Sequence, residues 1–186
     1  MEKINRLLYH SYQGYRIDSN GKAMKGSVAV IEMLAKRLQA LNWTMSTAES
    51  CTGGMVAAKL TNLAGSSAWF ERGYVTYSNE AKQQDLNVNP QSLAQFGAVS
   101  EEVAGEMAYG CLTKVNSNAS LSVTGIAGPT GGSEKKPVGT VCFGWCINGD
   151  VHTKTKFFEG DRAAIRMQAC EYVLKILLEH IDKVHD

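Results

Sequence analysis

Between Trp43 and Met55 the chain reads Trp-Thr-Met-Ser-Thr-Ala-Glu-Ser-Cys-Thr-Gly-Gly-Met, and this stretch limits the fold more than any other. Alternation of Trp43, Met45 and Thr47 with Thr44, Ser46 and Ala48 predicts a strand. Small hydroxyl residues and two glycines follow, and Met55-Val-Ala-Ala-Lys-Leu60 then resumes a helical spacing. A strand that turns sharply into a helix leaves backbone N–H groups and the positive end of a helix dipole near one point. Gly53 and Gly54 bring no Cβ there, so a ligand can approach the backbone. Ser50, Cys51 and Thr52 add two hydroxyls and a thiol. Two uses of this turn compete. Ser50 or Thr52 can be an ordinary N-cap. Alternatively, Ser50 is a nucleophile whose oxyanion rests on the N–H groups that follow it.

A chain of 186 residues is long enough for one domain with a sizeable core, and 44% hydrophobic with 20% charged residues is ordinary for a globular protein. A net charge of +1 gives no support to nucleic acid or an anionic membrane as partner. No apolar run is long enough to span a bilayer, and the opening Met-Glu-Lys-Ile-Asn-Arg does not read as a secretory signal. The five cysteines (51, 111, 142, 146, 170) form no Cys-x-x-Cys, and no histidine stands at ligand spacing from one. They read as reduced, buried thiols of a cytoplasmic protein, with no metal and no cofactor expected.

Residues 1–24 are polar, and Gly14 and Ser19-Asn-Gly21 break any period, so they read as an N-terminal extension, partly disordered or draped on the domain. From 25 to 186 a single domain is expected. Val30, Ile31, Leu34, Leu38 and Leu41 are spaced for an amphipathic helix. After the central strand and turn, Phe70–Ser78 reads as a second strand, Asn79 as the N-cap of a short helix to Leu86, and Gln91–Phe96 as another. Ser100-Glu-Glu102 opens a longer helix to about Lys114, and Ala119–Val123 reads as a buried strand. Asn148-Gly149 joins Val138–Ile147 to Val151–Phe158 as a hairpin. A terminal helix starts after Gly160-Asp161 and presents Ile165, Ala169, Val173, Ile176, Leu177 and Ile181. The expected fold is a three-layer α/β/α sandwich around a mixed sheet, parallel except at the hairpin. Ligands in such sheets bind at strand C-terminal ends, where Ser50, Tyr77 and Thr124 are expected.

A serine nucleophile needs a base. His10 lies in the extension, His152 in the hairpin, and His180 and His185 at the far end of the last helix, so no Ser-His-Asp set is legible. Lysine and tyrosine remain. Tyr77-Ser-Asn-Glu-Ala-Lys82 places a tyrosine at a strand end and a lysine in the next helix's first turn, where the dipole favours the neutral amine. The plain alternative for Lys82 is a solvated surface side chain. The Gly125–Gly132 segment, followed by Lys135 and Lys136, lacks the Gly-Lys-Ser/Thr ending of a P-loop and the layout of a dinucleotide fold. It can instead wall a small ligand, with backbone N–H groups suited to an anion. Arg162 and Arg166, one helical turn apart, could pair with a phosphate or form ordinary surface ion pairs.

Taken together, these segments resemble the CinA C-terminal domain family, the bacterial nicotinamide-nucleotide amidases (nicotinamide mononucleotide deamidases). The likeness is carried by Ala48-Glu-Ser-Cys-Thr-Gly-Gly54, Gly65-Ser-Ser67, Gly73-Tyr-Val-Thr-Tyr-Ser-Asn-Glu-Ala-Lys82 and Gly97-Ala-Val-Ser100. It continues through Ser122-Val-Thr-Gly-Ile-Ala-Gly-Pro129, Gly131-Gly132, Lys136-Pro-Val-Gly-Thr-Val141 and Gly160-Asp-Arg162, covering about residues 27–182. Ala64 and Asn87 depart from the family's commoner proline and glycine. The resemblance implies an α/β/α sandwich that hydrolyses the carboxamide of nicotinamide mononucleotide, with a small-molecule nucleotide as partner. Ser50 would be the nucleophile, Tyr77 and Lys82 would handle its proton, and Thr124 would lie beside the scissile group. Cys51, Thr52, Gly53 and Gly54 would surround the oxyanion. Gly125, Gly128, Gly131, Gly132 and Arg162 are the candidates for holding the nucleotide. A homodimer or larger homo-oligomer stays open, as does an inactive paralogue that binds nucleotide without turnover.

Overall fold

A computed structural model describes residues 15–17 and 23–185 of the chain. Tyr15–Ile17 (β1) and Ala23–Lys25 (β2) pair antiparallel, so part of the expected extension is a small hairpin. The rest of residues 1–24 lies outside the described residues. Met45–Glu49 (β3), Phe70–Val75 (β4), Ala119–Gly125 (β5), Thr140–Ile147 (β6) and Asp150–Phe157 (β7) form one sheet in the order β4-β3-β5-β6-β7. Its helices are Gly26–Ala40 (α1), Met55–Thr61 (α2), Asn79–Leu86 (α3), Pro90–Phe96 (α4), Glu101–Val115 (α5) and Arg162–His185 (α6).

The two sheet faces have different chemistry. Met45, Leu121, Val123, Phe143 and Trp145 pack against Leu34 and Leu38 of α1, Val56 and Leu60 of α2, and Val173 and Leu177 of α6. The other face is built from small residues and lies close against α5. Ser46, Ser120 and Ser122 are fully buried, and their hydroxyls donate to the carbonyls of Cys111, Ala108 and Ala104 at 3.2, 2.7 and 2.6 Å. Buried hydroxyls are tolerable there because each finds an acceptor. Gly144 completes this fit, since a Cβ on it would stand 2.3 Å from the Ala104 carbonyl oxygen.

β3 pairs parallel with β4 on one side and β5 on the other. β6 pairs antiparallel with β5 as well as with β7, so it is β6 that runs against its neighbours. No helix crosses over between β5 and β6, and a parallel pairing would require one. The C-terminal ends of β3, β4 and β5 therefore share one sheet edge. The chain leaves β3 for β4 on one side and returns to β5 on the other, which puts the topological switch point of the parallel strands at the end of β3.

Candidate active site

Ser50 follows the last residue of β3 and is still held by the sheet. Its N–H donates to the Val123 carbonyl at 2.9 Å, while Thr76 N–H donates to the Glu49 carbonyl at 2.9 Å. The chain then turns back, with Gly53 N–H donating to the Ser50 carbonyl at 3.0 Å. Gly53 and Gly54 have φ of 57° and 89°, where a side chain would be strained.

Neither Ser50 nor Thr52 caps α2, whose N-cap is Gly54 with no side-chain bond. The fully buried Glu49 carboxylate does so instead, accepting from Val56 N–H at 3.0 Å and Ala57 N–H at 2.8 Å. The first N–H groups of that helix are thus satisfied from within the protein. Sequence reasoning passed over Glu49 because it stands well ahead of the helix, outside any capping-box spacing.

Lys82 is no surface lysine. It is 1% exposed, and its Nζ lies 3.1 Å from Ser50 Oγ while donating to the Thr76 carbonyl at 2.9 Å. α3 delivers it there, and Ser78 rather than Asn79 caps that helix, accepting from Ala81 N–H at 3.0 Å. Tyr77 is 61% exposed, and its hydroxyl accepts from Arg162 Nη2 at 3.1 Å rather than meeting Ser50. The Arg162 Nη1 group donates to the Gly128 carbonyl at 2.8 Å, so Arg162 joins the glycine segment to Tyr77. Thr124 is buried at the end of β5, with its hydroxyl donating to the Ala98 carbonyl at 2.8 Å. Among the described residues Arg162 and Arg166 make no ion pair. Arg166 reaches back from α6 to the turn after Ser50, donating to the carbonyls of Cys51 and Thr52 at 3.0 and 2.7 Å.

A sequence profile of the CinA C-terminal domain matches residues 28–181. The chain belongs to the CinA C-terminal domain family. It is 54% identical over 147 residues to nicotinamide-nucleotide amidohydrolase PncC of Escherichia coli K12, covering 78% of this chain and 89% of that protein. A putative competence-damage inducible protein of Alkaliphilus metalliredigens is 45% identical over 160 residues, covering 86% of this chain but 39% of that longer protein. The crystal structure of a competence-damaged protein (CinA) superfamily protein from Klebsiella pneumoniae superposes with a TM-score of 0.82 at 37% identity, covering 86% of this chain and 99% of the other. A competence/damage inducible protein from Agrobacterium tumefaciens gives 0.81 at 39% identity, covering 86% and 97%.

Electrostatics separate the two candidate nucleophiles of this CinA domain. Burial holds the Lys82 amine below its ordinary pKa and so favours the neutral form that can accept a proton. Burial also pushes the Cys51 thiol up to about 12, so it is uncharged near neutrality and a poor nucleophile. The glycine segment is packed rather than bare. A Cβ on Gly125, Gly128 or Gly132 would meet atoms of Thr140, Val141 or Val138 within 3 Å, whereas Gly131 has ordinary space. Lys136 pins the segment, its Nζ donating to the Phe96 and Val99 carbonyls at 2.8 and 2.6 Å. His152 and His180 stack on each other at 4.4 Å and make no hydrogen bond with Ser50. Among the described residues no three His, Cys, Asp or Glu side chains are grouped to hold a metal, and no helix is long and apolar enough to cross a membrane.

Proposed function

We propose that this chain hydrolyses the carboxamide of nicotinamide mononucleotide to nicotinic acid mononucleotide and ammonia, with Ser50 as nucleophile. The observation that carries the mechanism is the buried Lys82 amine 3.1 Å from Ser50 Oγ. The 54% identity to a nicotinamide-nucleotide amidohydrolase supports the substrate. With Lys82 neutral, its lone pair takes the Ser50 hydroxyl proton as Oγ attacks the amide carbon. The C–O bond forms and the carbonyl electrons move to oxygen. Backbone N–H groups of the Cys51–Gly54 turn hold that oxyanion. The electrons return, the C–N bond breaks, and the amine leaves as ammonia with the proton from Lys82. Water then adds to the acyl-serine, giving its proton to Lys82, and the acid departs as Ser50 is restored.

Thr124 sits beside the reacting group, and Tyr77, whose hydroxyl is engaged by Arg162 rather than by Ser50, stacks on the cationic ring. Arg162 keeps N–H groups beyond those given to Gly128 and Tyr77, and with the Gly125–Gly132 backbone it receives the phosphate. Incubating the purified protein with nicotinamide mononucleotide should release ammonia. Ser50→Ala should abolish release, while Cys51→Ser should retain it. The reverse pattern would move the nucleophile to Cys51. Tight nucleotide binding without ammonia would make the chain a binding module.

A further inference from the structure

We infer that Thr76 is a positioning residue for the proposed base, its hydroxyl accepting the third N–H of Lys82 once that amine has taken the serine proton. The inference rests on the reading of Ser50 as nucleophile and Lys82 as base. Thr76 is 0% exposed, and its Oγ1 has no hydrogen-bond partner among the described residues. A buried hydroxyl left in that state costs stability, so its presence needs a reason. Its place supplies one. Thr76 is the first residue after β4, and its N–H donates to the Glu49 carbonyl, so it stays in the ladder beside Ser50. Tyr74, two residues earlier, packs with Ala48 and Leu86, and strand alternation puts Thr76 and Ser50 on that same face. Lys82 reaches this face from α3, with Nζ 2.9 Å from the Thr76 carbonyl oxygen and 3.1 Å from Ser50 Oγ. Thr47 also lacks a partner, but its hydroxyl lies toward Ala57 of α2, on the opposite face. A neutral amine has two N–H groups and a lone pair, whereas the ammonium has three N–H groups and no lone pair. The Thr76 carbonyl and Ser50 Oγ take two of the three, and Thr76 Oγ1 takes the last. The hydroxyl therefore stands without a partner while Lys82 is neutral and gains one only as the base becomes charged. An interaction made only on the way to the charged state speeds the step that forms it.

The test is the pH dependence of ammonia release from nicotinamide mononucleotide. Thr76→Val keeps the shape of the side chain and removes the acceptor. Its kcat/KM on the alkaline plateau should fall by about 10–100-fold, the worth of one hydrogen bond to a charged group. The acid limb of the same profile should move about 1–2 units lower in pH, because an ammonium with one acceptor fewer holds its proton less tightly. Thr76→Ser, which restores the hydroxyl without the methyl, should keep the limb where the unsubstituted protein has it. Should the valine variant not fold, Thr76→Ala is read by the same limb. A limb that stays in place in the valine or alanine variant overturns the inference, whatever the loss of rate. So does a limb that moves as far in the serine variant, since the methyl would then be the group that matters. Lys82→Met separates this inference from the reading beneath it. If that variant keeps turnover and the acid limb, Lys82 is not the base and both fail. If it loses turnover while the valine variant keeps the limb, only the role of Thr76 fails.

Discussion

As the proposed base, Lys82 would trade stability for reactivity. A folded-state pKa below the unfolded value means that the unfolded chain binds more protons, so stability rises with pH toward the ordinary lysine value of 10.5 and is diminished below it. Replacing Lys82 by methionine, similar in length and apolar, should therefore raise the thermal midpoint at neutral pH. It should also lower kcat by about 10²–10⁴-fold, the usual contribution of a positioned base. In the unsubstituted protein, kcat/KM should rise with pH through the lowered pKa of Lys82. A flat profile, or a methionine variant that melts lower, would argue against a strained neutral amine. The sequence placed Tyr77 and Lys82 near the strand end but could not tell a buried lysine from a solvated one, because burial comes from packing of the whole of α3. Arg162 allows a separate check. Arg162→Ala should raise KM for the nucleotide and narrow its preference over nicotinamide riboside, which lacks the phosphate. An unchanged ratio of kcat/KM between the two would leave Arg162 only the task of tying Gly128 to Tyr77.

At the scale of elements, the site depends on how closely α5 lies against its neighbours. A Cβ on Gly110 would stand 1.9 Å from the carbonyl oxygen of Leu86, the last residue of α3. Backbone cannot yield there cheaply, so Gly110→Ala should cost about 3 kcal/mol or more in urea unfolding. Because α3 also carries Lys82, the same methyl should draw Nζ away from Ser50 and lower kcat in the protein that remains folded. A variant with unchanged stability and turnover would show that α3 and α5 can slide apart freely. The helix and strand periods, the Asn148-Gly149 hairpin and the Ser100 cap were all legible in the sequence, since each follows from local chemistry. Burial of Ala119–Val123 was legible too, but not what its hydroxyls would meet: the carbonyls that accept from Ser120 and Ser122 belong to α5, which only the tertiary packing brings against them. The small hairpin of β1 and β2 escaped for the opposite reason, having too short a pattern to rise above the polar residues around it.

Over the whole molecule, the proposed site lies at the ends of β3, β4 and β5, and the one pair of stacked imidazoles among the described residues stands apart from it. His152 of β7 and His180 of α6 lie 4.4 Å apart, with His180 also 5.6 Å from the buried Trp145 ring, so they join the hairpin to the terminal helix. The sequence placed them in separate elements as lone histidines; their meeting follows from α6 packing back across β6. Burial, with the nearby His152 and Lys183, pushes His180 down to about 4 from 6.5. A base with a lowered folded pKa contributes stability that is fully present above its unfolded value and is lost as pH falls toward the folded one. The window is therefore pH 6.5 down to about 4. Ordinary carboxyl groups of the unfolded chain begin to take up protons near the lower end as well, so a single melting curve cannot isolate the pair. His180→Phe keeps an aromatic ring against Trp145 and His152 but has nothing to protonate. Between those limits the unsubstituted protein should lose about 1–2 kcal/mol more than the phenylalanine variant, after allowance for solvent screening. Parallel stability curves for the two proteins would mean that His180 titrates alike in the folded and unfolded chain. At neutral pH the two should turn over substrate equally, since neither ring hydrogen-bonds to Ser50 or Lys82.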